Sequence, residues 1–111
     1  MNLNTYFNLT QTIKALQKRG YSRTFKLENE KLKCHQNNKR YAQHDLQIVE
    51  YHRFEIDDNH PEASIIFALV SNDGEQGYVI SSEKNMLSKK LLQFMDKVKI
   101  QLRQVSQTSN T

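Results

Sequence analysis

Apolar residues recur along this chain with two periods, and the period decides the element. Leu9, Ile13 and Leu16 fall at i, i+4 and i+7, with Lys14, Gln17, Lys18 and Arg19 between or after them. That spacing predicts an amphipathic helix over about residues 5 to 19. Gly20 stops it: a residue able to take positive φ, preceded by two cations that face the negative end of the helix dipole. Asn4, Thr5 and Asn8 all suit its N-cap. Tyr21, Arg23, Phe25 and Leu27 then alternate with Ser22, Thr24 and Lys26, which predicts a strand with one buried face. After the polar turn Glu28-Asn29-Glu30-Lys31, Leu32 and Cys34 alternate with Lys33 and return antiparallel in a hairpin. Residues 35–44 show neither period and read as a loop.

The centre of the chain, residues 45–71, reads as a hairpin of two longer strands. Leu46, Ile48, Phe54 and Ile56 share one parity, whereas Ile65 to Val70 is apolar on both parities. A strand tolerates the second pattern only if both its faces are covered, so residues 65–70 should be the most buried strand. Asn72 to Gly77 turns the chain into Tyr78-Val79-Ile80, a fifth short strand. Leu87, Leu91, Met95, Val98 and Leu102 then repeat at helical spacing, which predicts a second helix from Met86 to about Arg103, capped by Asn85 or Ser88. The expected fold class is α+β, a two-layer sandwich in the order α-β-β-β-β-β-α. Its antiparallel sheet of about five strands carries the N-terminal and the C-terminal helix on one face. Residues 1–103 should form a single domain, and the polar, uncharged stretch Gln104 to Thr111 is expected to be disordered.

Composition changes this picture little, and charge changes it more. No apolar run approaches the roughly 20 residues of a membrane span, the start of the chain lacks the pattern of a signal peptide, and the single cysteine, Cys34, has no internal disulfide partner. A cytoplasmic protein without membrane contact is the expectation. The net charge of +4 conceals three blocks. Residues 1–40 carry nine basic against two acidic side chains, residues 41–83 one against nine, and residues 84–111 six against one. A uniformly basic small protein would point to nucleic acid through its field, but here an acidic middle can neutralise basic ends.

The polar cluster richest in chemistry is His52, Arg53, Glu55, Asp57, Asp58, His60 and Glu62. In a strand Arg53 and Glu55 share one face and can pair, while His52 points to the other with Phe54 and Ile56. Imidazole and carboxylates together suit a divalent ion, yet the spacing matches no established ligand motif, and Asp, Asn and Pro are also what a turn needs. No cofactor and no metal is assigned. The basic side chains form a second candidate: Lys14, Lys18 and Arg19 on the first helix, and Lys89, Lys90 and Lys97 on the last. If both helices lie on one side, these make a single positive surface able to attract phosphates through a salt-sensitive term, although Lys-rich helices also serve solubility alone.

Arg19-Gly20-Tyr21 after an amphipathic helix, Phe25-Lys26-Leu27, Leu32-Lys33-Cys34 and then Tyr51-His52-Arg53-Phe54-Glu55 together resemble a family of small bacterial proteins of about this length. Many of its members carry the label phosphoribosylpyrophosphate synthetase. The resemblance covers about residues 9 to 80, and its most specific part is the Arg-Phe-Glu triplet followed by an Asp-rich turn and the strand Phe67-Ala68-Leu69-Val70-Ser71. The chain departs from the family pattern at Ile56, where a Gly is usual, and at Ser81-Ser82-Glu83, where a Tyr-Gly pair is usual. A synthetase of that name resembles a pair of Rossmann-like domains with a small-residue phosphate loop. Three glycines in all and no Gly-rich turn opening a helix offer no such loop.

Two classes of function follow from the sequence. One is a non-catalytic interaction or regulatory module that binds an acidic protein partner or a second copy of itself, through the basic helical face or an exposed strand edge, with nucleic acid as a further partner for the basic face. The other is a small enzyme or metal-dependent accessory protein sited at Arg53, Glu55, Asp57, Asp58 and His60.

Overall fold

The structure is a computed structural model and describes residues 8–55, 63–82 and 86–101. Helix α1 spans Leu9–Lys18, and of the three eligible caps Asn8 takes the role, its side chain accepting a hydrogen bond from the Gln11 amide at 2.9 Å. At the other end Gly20, at φ +96°, lets the chain reverse. Its amide donates to Gln17 O, the Tyr21 amide donates to Leu16 O at 2.9 Å, and Leu16 and Tyr21 join one apolar cluster. These paired bonds occupy carbonyls that the last turn would leave open.

Among the described residues seven strands follow: β1 (Arg23–Glu28), β2 (Lys31–Cys34), β3 (Arg40–Tyr41), β4 (Leu46–Phe54), β5 (Ser64–Ser71), β6 (Gln76–Ser82) and β7 (Lys99–Ile100). A 3₁₀ turn, Gln43–Asp45, precedes β4, and helix α2 (Met86–Met95) precedes β7. They form one sheet in the order β3-β2-β1-β6-β5-β4-β7, mixed and curled into a half-barrel. The expected antiparallel five-stranded, two-layer sandwich is therefore incorrect. β1 runs parallel to β6, β7 runs parallel to β4, and the stretch expected to be a loop contributes β3. The C-terminal helix is shorter than expected because the chain turns at Asp96 and Lys97 and Val98 leads into an edge strand.

The helices also lie on opposite faces, not on one. Leu16, Leu9 and Ile13 of α1 pack with Val49, Ile66, Ala68 and Ile80, whereas Leu91, Phe94 and Met95 of α2 pack with Ile48, Phe67, Leu69 and Val79. Successive residues of β5 point to opposite sides, so the double-sided apolar run Ile66 to Leu69, buried throughout, serves two cores. Curling brings Phe25, Leu32, Cys34 and Tyr41 from β1 to β3 into the cluster around α2. The parallel contact of β1 with β6 depends on Gly77, where a Cβ would stand 2.2 Å from Arg23 O.

Candidate functional site

Strand β4 places the side chains that carry the chemistry, and a β-bulge decides which way they point. Ile48 pairs with Leu69 and Glu50 with Ala68, so Val49 is the extra residue. Leu46 and Ile48 face α2, but after the bulge Val49, Glu50, His52 and Phe54 face α1, while Tyr51 and Arg53 take the α2 side. The parity shared by Leu46, Ile48 and Phe54 in the sequence is thus split across the sheet.

Glu50 is 5% exposed, and its carboxylate is fully engaged. Arg19, which caps α1, donates through both terminal nitrogens, at 2.6 Å to Oε1 and 3.2 Å to Oε2, and His52 Nε2 donates to Oε2 at 2.5 Å. Burial pushes the Glu50 carboxyl up, but the hydrogen bonds and charges of His52 and Arg19 outweigh it and hold it down at about 2. The Arg19 guanidinium lies 5.6 Å from the centre of the Tyr21 ring, and the His52 ring stacks on Phe54 at 6.4 Å. A carboxylate held this low, with both oxygens occupied, is a poor general base. It locks the end of α1 to β4.

The expected polar site divides at the end of the strand. Arg53 and Glu55 do pair, at 3.4 Å, but both are open to solvent, 61% and 76% exposed. Asp57, Asp58 and His60 lie outside the described residues. Among the described residues no group of three or more His, Cys, Asp or Glu side chains is placed to hold a metal ion. Arg19, expected on a basic surface, is instead the half-buried partner of the buried Glu50. Lys14 and Lys18 are exposed on α1, and Lys89, Lys90 and Lys97 on α2 and the turn after it. With the helices on opposite faces these do not merge into one positive surface. Lys33, on β2, lies 4.0 Å from Glu28.

Two features that the sequence did not locate matter more. Strand β7 covers only Gln47 and Ile48 of β4, so from Val49 to Phe54 the outer edge of β4 has no strand partner among the described residues. Tyr51, 50% exposed, and Ile100, 57% exposed, lie along this edge. Beside it is a hollow of about 240 Å³ lined by Arg53, Ala63, Ser64, Ile65, Ser81 and Leu92, in whose wall the buried Ser64 Oγ has no hydrogen-bond partner among the described residues. The second feature is a lock at the other end of β5. Ser71 Oγ, Tyr41 OH at 3.0 Å and Lys39 Nζ at 3.1 Å all donate to Asp73, tying the β5–β6 turn to β3. Led by the Ser71 hydrogen bond, and against burial, these partners hold the Asp73 carboxyl at about 2.

No helix among the described residues is long and apolar enough to cross a membrane. Comparison of the chain with protein-family models, with curated proteins and with solved structures finds no match.

Proposed function

We propose that the protein is a non-catalytic interaction module whose working surface is the outer edge of β4, and that the partner seated there is a second copy of the chain. The observation that carries this reading is a nine-residue strand whose outer edge, among the described residues, is paired by β7 at two residues only, with Tyr51 and Ile100 exposed. An open edge presents unpaired backbone donors and acceptors, which a second strand satisfies without any change of fold. Charge selects the partner. In an antiparallel contact centred on Phe54, and taken over the described residues 53–55 alone, Arg53 of each copy stands opposite Glu55 of the other, so one two-fold contact makes two ion pairs. The existing Arg53–Glu55 contact is solvent-exposed and exchanges for an intermolecular one at little cost. The tight, fully bonded Glu50 is an argument for structure over catalysis at this end of the strand.

Charge reversal tests this. Arg53→Glu sets glutamates against each other and is expected to weaken the dimer about ten-fold or more, and adding Glu55→Arg restores opposite charges and association. Equal association of all three proteins in sedimentation experiments refutes the reading.

A further inference from the structure

A second concavity, which uses none of the residues of the β4 edge, lies between α2 and the β1–β2 turn. It has a volume of about 630 Å³ and is lined by Leu27, Asn29, Glu30, Gln43, Lys90, Gln93, Phe94 and Lys97. Three unconnected parts of the chain meet there: the hairpin turn, the 3₁₀ turn and the exposed side of the helix. Lys90 and Gln93, three apart on one side of α2, and Lys97, in the turn after the helix, all line it. Leu27 and Phe94 provide apolar wall, and Asn29, Gln43 and Gln93 line it with side-chain amides able to hydrogen-bond a ligand.

Among the described residues the charges around this concavity make no ion pair, unlike those of the locks described above. Neither Lys90 nor Lys97 nor Glu30 makes an ion pair among the described residues, whereas Arg23, Arg40, Lys39 and Arg19 all do. Glu30 is also held at φ +65°, after Asn29 at +51°. A two-residue hairpin turn needs positive φ at both positions, and glycine meets that need at the second without strain. A glutamate there carries a conformational cost and points to a use for its carboxylate.

We infer that this concavity binds a small organic anion that carries a flat ring and a hydrogen-bond donor. The anionic group lies between Lys90 and Lys97, the ring against Leu27 and Phe94, and the donor meets Glu30. A volume of this size falls within the range of about 300 to 1,000 Å³ typical of small-molecule sites. The anion is a phosphate monoester or a carboxylate, and both present oxygens that two ammonium groups can hold.

The test is a titration of isotope-labelled full-length protein followed by amide NMR, with phenyl phosphate, benzoate, benzyl alcohol and inorganic phosphate as probes. Phenyl phosphate or benzoate is expected to saturate shifts confined to Asn29, Glu30, Gln43, Gln93 and Phe94. Benzyl alcohol and inorganic phosphate, which have only the ring or only the charge, are expected to bind roughly ten-fold more weakly or not at all. A ten-fold preference between the two ring anions identifies the head group. Lys90→Gln with Lys97→Gln should weaken binding about ten-fold, while Lys89→Gln with Lys99→Gln, the same change of charge off the site, should leave it within about two-fold. Shifts scattered over all lysine-rich surfaces, equal weakening by both double variants, or no saturable shift overturns the assignment.

Discussion

Replacing Glu50 by Gln isolates the buried lock between α1 and β4, and its cost can be worked from the structure. The carboxyl falls from its ordinary 4.5 to about 2 because His52 and Arg19 outweigh its burial. At about 1.4 kcal/mol for each pH unit, that fall corresponds to about 3 kcal/mol of stability. The folded value lies below the unfolded one, so this stability is present in full above about pH 4.5 and is lost as pH falls towards 2. Arg19 is 29% exposed and regains water when its partner is neutralised. The variant should therefore lose about 2 kcal/mol at neutral pH, less than the roughly 3 to 5 kcal/mol of breaking a fully buried pair. Urea unfolding followed by circular dichroism at pH 7, 4.5 and 2.5 reads both effects. Wild type should weaken steeply between the last two, and Glu50→Gln should do so less, retaining the share contributed by Asp73 in the same window. A variant within about 0.5 kcal/mol of wild type at pH 7, with a parallel pH profile, refutes the reasoning.

Two further substitutions probe the backbone, in opposite directions. Gly77→Ala drives a methyl group to 2.2 Å from Arg23 O and should cost at least about 2 kcal/mol or prevent folding, measured by thermal unfolding; an unchanged midpoint would mean that β1 does not depend on this approach to β6. Glu30→Gly relieves a side chain at φ +65° and should stabilise by up to about 1 kcal/mol, while weakening any ligand that uses the Glu30 carboxylate; a loss of stability would show that the turn carries no such strain.

Local chemistry made part of this architecture legible and non-local pairing hid the rest. Asn8 and Gly20 bound α1 through their own side-chain and backbone preferences, and the both-sided apolar run of β5 required two covered faces before any coordinates. That requirement conflicts with placing both helices on one face, and the burial of β5 decides between them. The bulge was not legible, because Ile48 and Val49 are both apolar and fit either phase of the strand. Once it is missed, strand alternation puts Glu50 on the face of Ile48, and its contact with Arg19, thirty-one residues away, has no sequence signature. Arg40-Tyr41 is too short to show a period, although a tyrosine isolated in a polar stretch was a signal of burial. Beyond α2, Val98 continues the helical spacing while pairing geometry makes the next two residues an edge strand, a choice set by β4 and not by local preference. The parallel contact of β1 with β6 joins residues more than fifty positions apart and rests on one glycine.

The central claim is that the uncovered edge of β4 joins two copies of the chain, and the most direct measurement is sedimentation velocity across concentrations from about 5 μM to 1 mM, the range in which a short edge contact of this kind should dissociate. The account predicts a monomer–dimer equilibrium for the wild type, a shift to monomer for Arg53→Glu, and recovery of dimer on adding Glu55→Arg. A wild type that stays monomeric throughout, or an Arg53→Glu variant that dimerises as well as the wild type, contradicts it.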